Sequence, residues 1–245
     1  MSDTIDTILT QMGQDSARIA ENVPKVFEAG QKLEYDRFWD AFQDNGNRIN
    51  YYNAFRGYGW TVENLKPKYD IIPSGANNAG QAMFGGMVKF NGSLVDAFDK
   101  RGVRLDTSLV QIFSDMFNGC DYVTEIPHID LSSATIVMGT FYGCRKVTSL
   151  SITLPDRELV FTNFVRDMIA LENLDITGTI NGNGFNISWS TKLTHDSLMS
   201  IINALADKSE DASGTIWTVT LGETNIAKLT DEEINIATQK GWVLG

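Results

Sequence analysis

Apolar residues recur along the middle of this chain at a spacing of 24. Phe117, Gly119, Cys120, Val123 and Ile126 return as Phe141, Gly143, Cys144, Val147 and Leu150. A weaker copy follows at the same offset, with Val165, Met168, Leu171 and Leu174, and Ile152 and Ile176 repeat the interval once more. A period in this range, with apolar residues at fixed phases, predicts a solenoid: each copy is one turn of chain that cannot bury its apolar side alone. Stacking is expected to bring Val123, Val147 and Leu171 together, and separately Ile126, Leu150 and Leu174.

A different pattern governs the N-terminus. Ile5, Leu9, Met12, Ser16, Ile19, Val23 and Val26 follow alternating spacings of four and three, a heptad seam with one polar position. Pro24 interrupts it, so one helix is expected over about 3–22 and a second over about 24–43, stopping at Asp44-Asn45-Gly46. Two packings satisfy the seam. It can lie against its own chain, or Ile5, Leu9, Met12, Ile19, Val23 and Val26 can form a short coiled coil that sets an oligomer.

Residues 47–75 are aromatic and punctuated by Gly57 and Gly59, with Tyr51, Tyr52, Phe55, Tyr58, Trp60 and Tyr69 among them. They read as a cap over the first coil of the array, with a carbohydrate platform as the alternative. Residues 76–112 read as a degenerate coil in which Met83-Phe84 corresponds to Met116-Phe117. Residues 113–190 hold the clear copies, and Asn181 to Gly184 form a loop signal. Beyond it, Thr194 is placed to cap a helix through Leu205. Ile216 to Leu221 alternates as a strand. Thr230 and Glu233 form a capping box for a last helix, and Trp242-Val243-Leu244 reads as a final strand. The expected division is 1–46 helical and oligomerising, 47–112 cap and first coil, and 113–245 repeats with a C-terminal cap.

Charge narrows the function classes. The net charge is −11 over 245 residues, and the densest basic patch is Lys66-Pro67-Lys68. This is the wrong balance for a nucleic-acid groove. No run of 18 apolar residues is present, so no membrane span is expected. Met1 to Thr10 carries Asp3 and Asp6 and no basic residue, unlike a secretory signal. The chain is expected to stay where it is made or to leave by another route, such as release within a virus particle.

Candidate chemistry is sparse. Cys120 and Cys144 share a repeat phase, which places them one coil apart, at strand-like spacing of roughly 5 Å. They read as two reduced core thiols. His128 and His195 are the only histidines, and neither has metal-ligand spacing to the cysteines. Glu232-Glu233 reads as a solvated helix face, and Gly85-Gly86 lacks the Lys-Ser/Thr of a phosphate loop. No catalytic, cofactor or metal residue is assigned.

Three stretches carry a resemblance. MFNGCDYVTEIPHIDLSSA and TFYGCRKVTSLSITL resemble the BspA-type leucine-rich repeat, although Val123 and Val147 stand where that signature has Leu. LTHDSLMSIINALAD with WTVTLGETNIAKLTDEEINIATQKGWVLG resembles the closing segment of BspA-like proteins in phages and prophages of Firmicutes. KVFEAGQKLEYDRFWDAFQDNGNRINYYNAF with GWTVENLKPKYDI resembles their leader. The resemblance implies an α+β chain, with N-terminal helices followed by a right-handed leucine-rich-repeat-like solenoid of short parallel strands. It also implies a virion-associated protein of the tail, baseplate or fibre region. Its expected partners are copies of itself, a trimer by family analogy, with other virion proteins and a host-surface polysaccharide or protein. The alternatives are a bacterial BspA-like surface adhesin and, further off, a carbohydrate-active or wall-degrading enzyme.

Overall fold

A five-residue turn that recurs along the chain organises the fold. The computed structural model describes residues 51–57, 59–75 and 78–245, all within one unit. The helices and the heptad seam expected in residues 1–46, with Ile5, Leu9, Met12, Ile19, Val23 and Val26, lie outside them. The turn occupies 53–57, 82–86, 115–119, 139–143 and 163–167. Its first residue always has a positive φ: Asn53 55°, Ala82 49°, Asp115 56°, Gly139 63° and Asn163 54°. So does its fifth, as Gly57, Gly86, Gly119, Gly143 and Asp167. Every non-glycine residue with positive φ among the described residues sits at one of these two places. The left-handed conformation costs an ordinary residue roughly 1–2 kcal/mol, and Gly, Asn and Asp bear it best, which accounts for the residue types found.

Those dihedrals divide the backbone donors into two sets. The second and fourth amides of each turn bond locally; Thr140 N–H donates to Val137 O and Tyr142 N–H to Gly139 O, and the other four copies repeat this. In the first four copies the first, third and fifth amides bond to the following copy. Phe55 N–H donates to Met83 O, Phe84 N–H to Met116 O, Phe117 N–H to Thr140 O and Phe141 N–H to Phe164 O. Backbone donors that local structure would leave unpaired thus join one copy to the next, which satisfies them away from water.

The third position fills the core. Phe55 stacks on Phe84 (centroids 5.1 Å), Phe84 on Phe117 (5.2 Å) and Phe117 on Phe141 (5.6 Å), the last two pairs within 5° of parallel. The run ends where Val165 takes the position and Phe164 meets Phe141 edge-on at 5.3 Å. All five phenylalanines are at most 1% exposed. The turn therefore reaches into the aromatic segment and the irregular region before residue 113, with copies 29 and 33 residues apart before the spacing settles at 24.

Beyond each turn the chain forms short strands. β1 (Gly92–Ser93) pairs in parallel with β2 (Val123–Glu125), and between them lie helix α1 (Leu94–Ala97), capped by Ser93, and a 3-10 turn over Asp99–Arg101. β3 (Ile129–Asp130), β4 (Ser149–Thr153) and β5 (Asn173–Thr177) form a parallel sheet in that order. Its register sets Leu150 beside Leu174 and Ile152 beside Ile176, 24 residues apart. Val123, Val147 and Leu171 are buried, as are Ile126, Leu150 and Leu174.

Helix α2 (His195–Ala204), capped by Thr194, takes the place of a further strand beside β5. Leu174 N–H donates to Ser197 Oγ and Ile176 N–H to Ser200 Oγ, each at 2.9 Å. Serines three apart on one helix face thus supply acceptors to alternate amides of the strand edge, which would otherwise invite another chain. The far end of α2 is held by Lys240, whose Nζ donates to Ile202, Asn203 and Leu205 carbonyls at 2.8–3.1 Å. β6 (Trp217–Val219) and β7 (Trp242–Leu244) form a last parallel pair. Between them run α3 (Glu223–Ile226) and α4 (Asp231–Gln239), the latter started by the Thr230–Glu233 capping box.

Candidate interaction surface

The titratable groups singled out in the sequence are dispersed by the fold. Cys120 and Cys144 are buried free thiols. Each donates to the carbonyl of the stacked phenylalanine in the preceding copy, Cys120 to Phe84 O at 3.1 Å and Cys144 to Phe117 O at 3.3 Å. Burial pushes the Cys120 thiol up to about 12 and raises Cys144 well above the usual range, so both stay protonated.

His128 lies on the outer face of the β3–β5 sheet. Its Nδ1 is 3.0 Å from Ser151 Oγ and its Nε2 3.1 Å from Thr153 Oγ1. Residues 23 and 25 positions away meet it because adjacent strands bring equal phases together, a pairing invisible to local motif reading. A serine base needs its second ring nitrogen oriented by a third group, usually a carboxylate; here a threonine hydroxyl occupies that place. His195, next to the Thr194 cap, joins α2 to α4 through Glu233 Oε1 at 2.8 Å. Glu233 also accepts from Thr230 N–H, and that bond, with His195 beside it, holds its carboxyl below the usual range. Gly85 and Gly86 are the fourth and fifth residues of a repeated turn, and no group of three metal-ligating side chains assembles among the described residues. No helix among them is long and apolar enough to cross a membrane.

Two surface features stand out. One is an open hollow of about 610 Å³ lined by Glu158, Asp207, Lys208, Glu210, Asp211, Ser213, Thr215 and Trp217. Its loop is built from two Asp-x-Ser turns. Asp207 accepts from Ser209 N–H and Oγ–H, and Asp211 from Ser213 N–H, Ser213 Oγ–H and Trp217 Nε1–H. These donors hold both carboxyls below the usual range, with the Ser209 and Ser213 bonds leading. Lys208 is turned over the Trp217 ring at 3.9 Å.

The other is a pair of cation–aromatic contacts among side chains that reach the surface, in which Tyr142 and Arg166 hold the fourth position of their turns. Lys146 Nζ sits 4.8 Å from the Tyr122 ring centroid. The Arg166 guanidinium lies 4.9 Å from Trp189 and 5.9 Å from Tyr142. Tyr122 is 44% and Trp189 39% exposed, and Lys146 and Arg166 are exposed. Arg145 beside them is held by Asp167 at 2.6 Å. Exposed Tyr, Trp and Arg are the side chains on which protein contacts concentrate their binding energy. The sequence hides these contacts because the partners are 23 or 24 residues apart and only the stacking brings them together.

Compared with known protein families, with curated proteins and with solved structures, the chain matches none.

Proposed function

We propose that this chain is a structural and interaction protein of a phage particle, from the tail, baseplate or fibre region, built as a leucine-rich-repeat-like solenoid of the BspA type. The observation that carries the reading is the repeated turn with its copy-to-copy hydrogen bonds, together with the 24-residue strand register. An array of this kind offers equivalent positions along a face, suited to contacts with other macromolecules. The phage setting rests on the three-part resemblance of leader, repeats and closing segment. In this reading the seam at Ile5, Leu9, Met12, Ile19, Val23 and Val26 joins copies into a homo-oligomer, a trimer by analogy. The partners are other virion proteins and a polysaccharide or protein of the host surface.

Fractionation tests it. Particles purified on a density gradient from a lysate of the producing culture are digested and analysed by mass spectrometry beside washed host envelopes. The reading expects peptides of this chain to co-sediment with the particles in fixed ratio to tail proteins. Recovery from the envelopes with none in the particles refutes it and favours the surface adhesin.

A further inference from the structure

We infer that Asn91 is a modification site: in the folded chain its side-chain amide is hydrolysed spontaneously by way of a cyclic imide with Gly92, and Lys146 promotes the step and pairs the carboxylate it leaves. The inference stands apart from the phage reading and from the N-terminal seam.

An asparagine followed by glycine is open to attack by its own backbone, because the following residue has no side chain to hinder the approach. The Gly92 nitrogen loses its proton to solvent base and bonds Asn91 Cγ. The Cγ–Nδ2 bond breaks, and Nδ2 takes up a proton from water and leaves as ammonia. A water molecule then opens the imide, at Cγ to give aspartate or at the main-chain carbonyl to give isoaspartate. One amide and one water are consumed, and one carboxylate and one ammonium are formed.

Five Asn-Gly pairs occur in the sequence. Asn45-Gly46 lies outside the described residues, and the fold treats the other four differently. At Asn118 the attacking nitrogen is already engaged: Gly119 N–H donates to Tyr142 O at 2.8 Å, while Asn118 Nδ2 donates to Asp115 Oδ1 at 2.7 Å. Asn183 has both ends of its amide held, Nδ2 donating to Ile216 O at 3.2 Å and Oδ1 accepting from Thr218 N–H at 2.8 Å. Asn181 keeps its Oδ1 buried, and a Cβ on the following Gly182 would stand 1.9 Å from the Leu159 carbonyl oxygen, so that backbone is shut in. Reaction at these three requires the local structure to open first.

Asn91 is placed otherwise. It is exposed and lies immediately before β1, whose pairing with β2 slips register between Gly92 and Ser93. Among the described residues its side chain makes one polar contact, Oδ1 with Lys146 Nζ at 3.5 Å, too long to fix the amide. That contact is aimed at the atom where charge develops. As the Gly92 nitrogen adds to Cγ, negative charge gathers on Oδ1, and an ammonium beside it stabilises that charge. The aspartate that results carries a full charge at the same place. Lys146, now 4.8 Å from the Tyr122 ring centroid, is within reach to pair it.

Peptide mapping of the aged full-length chain tests this. The protein is kept in warm, mildly alkaline buffer, folded in one series and in guanidinium in the other. It is then digested and analysed by mass spectrometry with aspartyl and isoaspartyl peptides separated. Each Asn-Gly pair is judged by its folded rate against its own denatured rate. Asn91 should react in the folded chain within about tenfold of its denatured rate, and Asn118, Asn181 and Asn183 should be slowed by more than that. Lys146→Gln should slow Asn91 about threefold in the folded chain alone, with Lys146→Arg restoring the rate and added salt weakening the effect. Lys146 is exposed, and circular dichroism verifies that both variants fold. Protection of Asn91 equal to that of Asn118 or Asn183, or a folded rate that Lys146→Gln leaves unchanged, overturns the proposal.

Discussion

Replacing stacked phenylalanines in pairs tests the order in which the copies lie. Phe117 is wholly buried between Phe84 and Phe141, at 5.2 and 5.6 Å and within 5° of parallel to each. Leucine in its place keeps most of the apolar volume, so each single Phe→Leu change is expected to cost about 1–1.5 kcal/mol. Ring contact adds about 0.5–1.5 kcal/mol beyond area burial, and this part vanishes when either partner is changed. Urea unfolding followed by fluorescence gives the free energies for complete double-mutant cycles. Phe84/Phe117 and Phe117/Phe141 should couple by about 1 kcal/mol each. Phe84 and Phe141 are separated by Phe117, and their effects should add to within about 0.3–0.5 kcal/mol. Coupling in the Phe84/Phe141 pair as large as in the neighbouring pairs would refute the stacking order.

Three further outcomes follow from the packing. An alanine Cβ at Gly182 (φ +134°) would stand 1.9 Å from the Leu159 carbonyl oxygen, whereas Gly214 (φ +78°) has nothing within 4 Å; Gly214→Ala should therefore cost about 1 kcal/mol of strain and Gly182→Ala more than about 4 in the same unfolding assay. Ser197→Ala and Ser200→Ala remove the acceptors of the Leu174 and Ile176 amides and should each cost about 1–3 kcal/mol, with faster hydrogen exchange at those two amides. Unfolded without reductant, the protein should titrate two free thiols. Because burial raises both thiols in the folded state, that state holds more protons above the unfolded value of 9.0, so stability is full below about pH 9 and falls as pH rises toward 12; Cys120→Ala/Cys144→Ala should flatten that decline, and an unchanged slope would contradict the assignment.

Legibility in the sequence followed the residues that cannot vary. Phe117 and Phe141 keep their spacing because a ring must sit on a ring, and Gly119 and Gly143 keep theirs because the turn's fifth residue has a positive φ. The first residue of the turn also needs a positive φ, but Asn53, Ala82, Asp115, Gly139 and Asn163 all supply it, so consecutive copies never share a letter there and the position is silent. The copy at 53–57 was veiled as well by an interval lengthened to 29, whereas Met83-Phe84 of the copy at 82–86 could still be matched to Met116-Phe117 across an interval of 33 that holds α1 and the 3-10 turn. Caps at Thr194 and Thr230 were readable because capping is local chemistry. Contacts such as His128 with Ser151, or Arg166 with Trp189, exist only after copies stack, and neither residue type nor neighbours announce them.

The central claim is that consecutive copies lie side by side in a 24-residue register, and cross-linking tests it directly. In a Cys120→Ala/Cys144→Ala background, paired cysteines are introduced at positions 151 and 175 or 153 and 177, which are direct neighbours on β4 and β5. Adjacent strands lie roughly 4.7–4.9 Å apart, inside disulfide reach. Shifted pairs at 149 and 175 or 151 and 177 would be diagonal, at roughly 7–8 Å, and outside it. Mild oxidation should close the in-register pairs, seen as a faster-migrating band on non-reducing gels, and leave the shifted pairs open. Closure of the shifted pairs in preference to the in-register ones would contradict the account.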